Sequence, residues 1–325
     1  MQRDDVIRQS TDHADVRPGD LTQDDVRRFL ADRLGDGIRR VEPIGHGEWS
    51  KAFAFDHGER EYVVRFGRYR EDFEKDRVAS RYATVDLPIP QMIEIGEAFG
   101  GYFAISTRAY GTYIDEVDGA AMHALLPALF AMLDAARDVD LSGTTGYGGW
   151  DGDGNAAHAT WREALLAIGG DHARIPGWRQ RLAASPTGTG PFEECYARLA
   201  ELLPFSPAER HLIHSDLLHF NVLTRGDRLT AVLDWGSALY GDFLYDVAWF
   251  VYWSPWFPAW NGIDFAAEAR RHYEAIGLDV PYFEERLRCC QLHIGLDNMA
   301  YSAFTGRPSQ IDEVARLTLA IARGN

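Results

Sequence analysis

Residues 212–236 read LIHSDLLHFNVLTRGDRLTAVLDWG: an apolar run that delivers His214, Asp216 and Asn221 into a loop, then a hairpin that ends on Asp234. The two β-rich arms of NVLTRGDRLTAVLDW flank Arg225-Gly226-Asp227, and Gly-Asp between alternating apolar residues is turn chemistry. Arg-Gly-Asp here is therefore a turn and not an adhesion signal. Three oxygen-bearing side chains, Asp216, Asn221 and Asp234, converge on one strand-end region. Each is commonplace alone, since Asp-x4-Asn arises by chance and LDWG also describes a strand followed by a turn.

Together they match the needs of phosphoryl transfer. That reaction asks little covalent chemistry of a protein, but it needs an acceptor hydroxyl aligned and phosphate charge neutralised by a divalent cation. Asp216 is the expected catalytic group, able to accept the hydroxyl's hydrogen bond and then its proton. Asn221 and Asp234 offer the hard oxygen ligands that Mg²⁺ prefers. The spacing of Asp216 and Asn221, five residues, and an Asp at a hairpin's end parallel the catalytic loop of protein kinases. His214 is a further catalytic candidate, with bracing of backbone carbonyls as its structural alternative. A zinc site built from His214 and His219 is a weaker reading of the same residues.

Upstream, RRVEPIGHG, WSKAFAFDHG and REYVVRFG read as three strands, followed by the helical pattern FEKDRVASRYATV. DLPIPQMIEIGEAFGGYFAISTRAYG adds a Pro-bounded loop and two strands joined at Gly100 and Gly101. A first helix over residues 21–34, with Thr22 placed to cap it, precedes them. Gly45 and Gly47 stand in a strand-turn-strand setting where backbone amides can cover phosphates. Arg65, in YVVRF, occupies the place of a phosphate-contacting lysine, with Asp76 as its expected ion-pair partner and Glu74 as the competitor. From about residue 112 long helical patterns take over (AMHALLPALFAMLDAARDV, HATWREALLAI, PFEECYARLAELL). The expectation is an α+β, two-lobed, protein-kinase-like fold. Residues 1–107 form a nucleotide-binding lobe with a small antiparallel sheet, residues 108–112 a hinge, and residues 113–325 a mostly helical catalytic and substrate-binding lobe.

The composition agrees. At 325 residues, 46% of them hydrophobic, the chain exceeds what one core usually fills, so two lobes are expected. The formal charge of −16 repels nucleic acid and anionic membranes and attracts cations. Val247 to Trp260 is the most apolar stretch, but it is short and broken by Pro255 and Pro258, so no membrane span is expected. MQRDDVIRQSTDHADVRPGD carries no apolar core of a signal peptide, and the three thiols Cys195, Cys289 and Cys290 offer no disulfide framework. The expectation is a cytoplasmic protein, a monomer, without nucleic-acid or membrane partners.

His214-Ser-Asp216-x4-Asn221 followed by Leu-Asp234-Trp-Gly resembles the signature of the aminoglycoside phosphotransferase family, and the order of the lobes agrees. YVVRF, FEKDR, LPIP, AISTRA, VLDWGSALYGD, WSPW and HIGLD extend the likeness from about Glu48 to Asn298. The resemblance implies an ATP- and Mg²⁺-dependent kinase, with GTP not excluded, acting on a cationic aminocyclitol or aminoglycoside antibiotic and conferring resistance. On the substrate side the candidates are Asp242, Asp246, Asp297 and Trp253, with Asp264 and the neighbouring tryptophans Trp249, Trp256 and Trp260 also considered. Helix caps, loop bracing and core filling are the structural roles that compete. The rival functions are a kinase of a macrolide, choline or homoserine, and a nucleotide-binding scaffold without turnover. A protein kinase is disfavoured, because Leu-Tyr-Gly-Asp after Asp234 runs quickly into a helix where an activation segment would stand.

Overall fold

The computed structural model describes residues 21–46 and 50–324; the polar start of the chain and Gly47 lie outside them. The first element is α1 (Gln23–Leu34), closed by a capping box: the Asp25 amide donates to the Thr22 hydroxyl at 3.2 Å and the Thr22 amide to the Asp25 carboxylate at 3.0 Å. Its apolar stripe of Val26, Phe29 and Leu30 lies on the strands that follow. These are β1 (Ile38–His46), β2 (Ser50–His57), β3 (Arg60–Gly67), then helix α2 (Arg70–Ala79), then β4 (Met92–Ala98) and β5 (Gly101–Thr107). They form one antiparallel sheet in the order β1-β2-β3-β5-β4. Phe29 meets Phe103 edge-on at 4.9 Å and Phe66 at 5.5 Å. Burying each such ring contributes about 1.5–3 kcal/mol, which fixes the helix to the sheet face.

The helical pattern expected from Phe73 to Val85 begins earlier and ends sooner. After Ala79 a single 3-10 turn, Ser80–Tyr82, completes it. Residues 83–85 leave the helix in a turn where the Thr84 hydroxyl takes the Leu87 amide at 3.0 Å, and Pro88 and Pro90, which lack amides for helical pairing, bar any continuation beyond it. Val78, Ala79 and Leu87 belong to the core of the second lobe, so α2 bridges the two bodies.

Residues 108–111 carry no regular secondary structure and lead into β6 (Thr112–Tyr113). Gly111 passes so close to the later hairpin that a Cβ there would stand 2.6 Å from the Thr224 carbonyl, which explains its glycine. Beyond it come α3 (Gly119–Arg137), β7 (Tyr147–Trp150), β8 (Ala156–His158), α4 (Trp161–Leu166), α5 (Trp178–Ala184), α6 (Gly190–Leu202), β9 (His211–Ile213), β10 (Val222–Arg225), β11 (Arg228–Val232) and β12 (Leu239–Gly241). Helices α7 (Leu244–Trp253), α8 (Phe265–Ala275), α9 (Phe283–Thr305) and α10 (Pro308–Arg323) close the chain. The hairpin β10–β11 takes β6 as a third strand, and β8-β7-β12-β9 form a separate four-stranded sheet that the sequence pattern did not reveal.

Helix α9 is apolar on most sides and runs through the middle of the large lobe, where Gly295 lets α10 approach until a Cβ would meet the Thr318 hydroxyl at 2.2 Å. By length and composition α3 matches a membrane-spanning helix, with a mean hydropathy of 1.4 over its best window. In the fold Met122, Leu125, Leu129 and Met132 of α3 are enclosed in the large core, the position of a core helix.

Candidate active site

Between β9 and β10 the chain makes a loop whose backbone is unusual: Ser215, His219 and Phe220 all have positive φ, at 63°, 62° and 70°. Non-glycine residues hold such conformations only where their surroundings enforce them. Two carboxylates do so here. Asp246, buried on α7, accepts the amides of His214 and Ser215, each at 2.8 Å. Asp115, in the 3-10 turn just after β6, accepts the amides of His219 at 2.6 Å and Phe220 at 3.0 Å. The Ser215 hydroxyl adds a bond to the Ser237 carbonyl at 2.7 Å, tying the loop to the residues after Asp234.

Asp216 sits at the centre of this frame with its side chain 31% exposed. Asn221 donates its amide to the Asp216 carbonyl at 2.8 Å and to Oδ2 at 3.1 Å. His219 donates from Nδ1 to Oδ1 at 2.9 Å. Burial disfavours a charge on His219, but that hydrogen bond and the charges of Asp216 and Asp115 outweigh it and raise its pKa.

His214 differs from the catalytic assignment made on sequence. It is buried; the Leu233 carbonyl accepts from Nε2 at 2.8 Å, and the Asp216 amide donates to Nδ1 at 3.2 Å. With both nitrogens engaged by backbone it holds Asp216 and the hairpin in register and has no site left for a reactant. The two histidines make no zinc site, and no group of three or more metal-ligating His, Cys, Asp or Glu occurs among the described residues.

Asp234, two residues beyond β11, stands in the left-handed region, at φ 58°, with its side chain exposed. Its neighbourhood belongs to α2. Lys75, buried, donates to the Gly236 carbonyl at 2.6 Å, and burial brings its ammonium down to about 8. Asp72 pairs with Arg174 at 2.6 Å, and burial, with Asp234 nearby, pushes its carboxyl up. Asp76 bonds Arg65 with one oxygen and accepts the Trp235 amide with the other at 2.8 Å. Glu74, the competing partner, is taken by Arg70 at 2.7 Å. Gly45 lies exposed near the end of β1 with open space where a Cβ would stand, and Gly47 falls outside the described residues.

The substrate-side candidates divide. Asp242 is buried, with Arg286 gripping both carboxylate oxygens at 2.9 and 2.7 Å and the Leu244 amide adding a third bond at 3.0 Å. Asp246 is buried beneath the loop as described. Both carboxylates are buried with each oxygen taken by a protein donor, so the structure makes them structural anchors in place of substrate contacts. Asp264 caps α8 through the Ala267 amide at 3.0 Å. Asp297 keeps solvent contact on α9, yet surrounding protein and the charge of Asp216 push its carboxyl up to about 6. Trp253 and Trp249 are buried with indole nitrogens that meet no hydrogen-bond partner among the described residues, and both rings stand edge-on to His219, at 5.4 and 6.2 Å. Trp260 is core, bonded to the Val117 carbonyl at 3.0 Å, while Trp256 is exposed.

Sequence reasoning missed Asp115, Lys75 and the bond made by His219. His219 was legible as a neighbour of Asp216, but Asp115 lies about a hundred residues away from its partners, and no local pattern announces it.

Comparison with known proteins adds to this geometry. A family model described as the phosphotransferase enzyme family matches residues 40–283. Hygromycin-B 4-O-kinase of Escherichia coli is 33% identical over 293 residues, covering 90% of this chain and 82% of that protein. The crystal structure of aminoglycoside phosphotransferase APH(4)-Ia is similar with a TM-score of 0.82 and 31% identity, over 94% of this chain and 99% of that one. A thermostable mutant of APH(4)-Ia in ternary complex with AMP-PNP and hygromycin B has a TM-score of 0.80 and 31% identity, over 92% and 98%. The GDP complex of aminoglycoside 2'-phosphotransferase-IIIa, at 15% identity and a TM-score of 0.63 over 94% and 100%, shares the fold.

Proposed function

The chain belongs to the phosphotransferase enzyme family, and on that premise we propose that it transfers the γ-phosphate of ATP to a hydroxyl of an aminoglycoside or aminocyclitol antibiotic, hygromycin B first among them, and so confers resistance. The observation that carries this reading is the grip on Asp216: Oδ1 is held by His219, Oδ2 by Asn221, and the carboxylate stays accessible. Each oxygen retains a lone pair for an incoming hydroxyl. The ternary complex of APH(4)-Ia with AMP-PNP and hygromycin B supports the choice of both substrates.

In this mechanism Asp216 accepts the acceptor's hydrogen bond and takes its proton as the new O–P bond forms and ADP leaves. Asn221, through its amide oxygen, and Asp234, through its exposed carboxylate, would hold Mg²⁺. These are hard oxygen donors in the small number that suits this ion, which fills its remaining positions with water and substrate phosphate. When bound, Mg²⁺ supplies charge neutralisation at the phosphates. Arg65, oriented by Asp76, contacts the triphosphate, where a guanidinium can bind two oxygens at once. Gly45 and Gly47 provide the backbone that covers it. Asp297 forms the acceptor side, its carboxylate meeting an ammonium group, while Trp253, buried, backs the site through its contact with His219. The free, buried state of all three thiols suits a reducing cytoplasm, and the protein acts as a monomer.

The test is ADP release by purified protein with ATP and Mg²⁺ across hygromycin B, other aminoglycosides, choline, homoserine and a macrolide. Hygromycin B is expected to show the highest kcat/KM. A higher value for choline, homoserine or the macrolide would assign the site to that alcohol and overturn the antibiotic reading.

A further inference from the structure

We propose that His219 is a positioning residue for the transfer reaction, locking the Asp216 carboxylate in its working orientation and linking it to α7. The proposal rests on the function given above and concerns a contact that the signature residues do not include. Asn221 holds only one oxygen of Asp216. A carboxylate fixed at one oxygen can still rotate about its terminal bond, whereas the second bond, from His219 Nδ1 to Oδ1 at 2.9 Å, sets the plane.

The histidine is itself held in two ways. Its backbone sits in the left-handed region, and Asp115 secures it and the next residue through both carboxylate oxygens. Its ring stands at 82° to Trp253 and 90° to Trp249, so two indoles of α7 fix the imidazole plane by edge-to-face contact. Asp246, on that same helix and ahead of Trp249, supports the start of the loop. Helix α7 therefore controls both ends of the segment that carries Asp216. A substrate leaning on Trp249 or Trp253 would press on the group that aims the base.

Chain length supplies a sharp test. Asparagine places its Nδ2 the same number of bonds from the backbone as histidine places Nδ1, and asparagine tolerates positive φ. Glutamine places its amide one bond further out, near Nε2. The expectation is that His219→Ala and His219→Gln lower kcat by about ten- to a hundredfold, with KM for ATP within twofold of wild type, and that His219→Asn recovers most of the rate. Thermal melts confirm that each variant folds. Wild-type kcat in His219→Ala, or His219→Asn as slow as His219→Gln, would overturn the proposal. A second readout needs no turnover: the imidazole ¹⁵N resonances of His219 are expected to shift on Asp216→Asn, and unchanged resonances would also refute the pairing. A wild-type protein inactive on every alcohol would instead defeat the functional reading, leaving the resonance experiment to decide the role of His219.

Discussion

Asp297 carries the most informative single titration in the cleft. Surrounding protein and, secondarily, the charge of Asp216 push its carboxyl up to about 6. The folded state thus binds this proton more tightly than the unfolded chain does. By linkage, Asp297 makes stability fall as pH rises from the ordinary carboxylate range through about 6, with no further loss above. For a cationic acceptor the sign is opposite, because only the ionised carboxylate attracts it. KM for the antibiotic is therefore expected to fall between pH 5 and 7 and level off beyond; Asp297→Asn is expected to raise KM by about tenfold and flatten that dependence. Steady-state kinetics across pH checks this, and an unchanged profile in Asp297→Asn removes the residue from the acceptor site. At this scale the signature residues were readable from spacing, because Asp216 and Asn221 lie on one loop. Of their supports, bracing by Asp246 was one of two roles the sequence left open and burial decides for it, whereas Asp115 reaches the loop from about a hundred residues away and was not foreseen.

The elements are fastened by buried charge as much as by apolar packing. Asp242, between β12 and α7, holds Arg286 of α9 by two bonds inside the protein. Removing one partner leaves the other buried and unpaired, at a cost of about 3–5 kcal/mol, whereas replacing both by apolar residues of similar volume is close to neutral. Asp242→Ala is thus expected to lower the denaturant midpoint sharply, and Asp242→Leu with Arg286→Met to recover most of it. Equal loss in single and double variants would show that the pair itself contributes the stability. Long amphipathic helices such as α6, and strands with turns between them such as β4 and β5, were legible because their patterns span enough residues to show a period. The apolar strand before His214 was legible as β9, but β7, β8 and β12 run three or four residues each, too few for alternation to register, so the sheet that β9 joins was not foreseen. The end of α2 was misplaced because the Thr84 turn and the two prolines beyond it stop a pattern that otherwise reads as helical.

For the whole molecule, α2 joins the two lobes. Asp76 touches Arg65 and the backbone after Asp234, Lys75 holds the same turn, and Asp72 reaches Arg174 across the lobes. The two-lobed, α+β arrangement was legible from the order of strands and helices, whereas this bridging was not, since it depends on which core α2 enters. In the proposed reaction Asp216 takes the proton of the antibiotic's hydroxyl while the phosphate passes directly from ATP to that oxygen. The direct check is the mass of hygromycin B after incubation with ATP, Mg²⁺ and either wild-type protein or Asp216→Asn, alongside nucleotide affinity by calorimetry. The account predicts an antibiotic heavier by about 80 Da, one phosphoryl group, with wild type. With Asp216→Asn it predicts a rate lower by at least about a hundredfold and nucleotide binding retained. Undiminished phosphorylation by Asp216→Asn would contradict it.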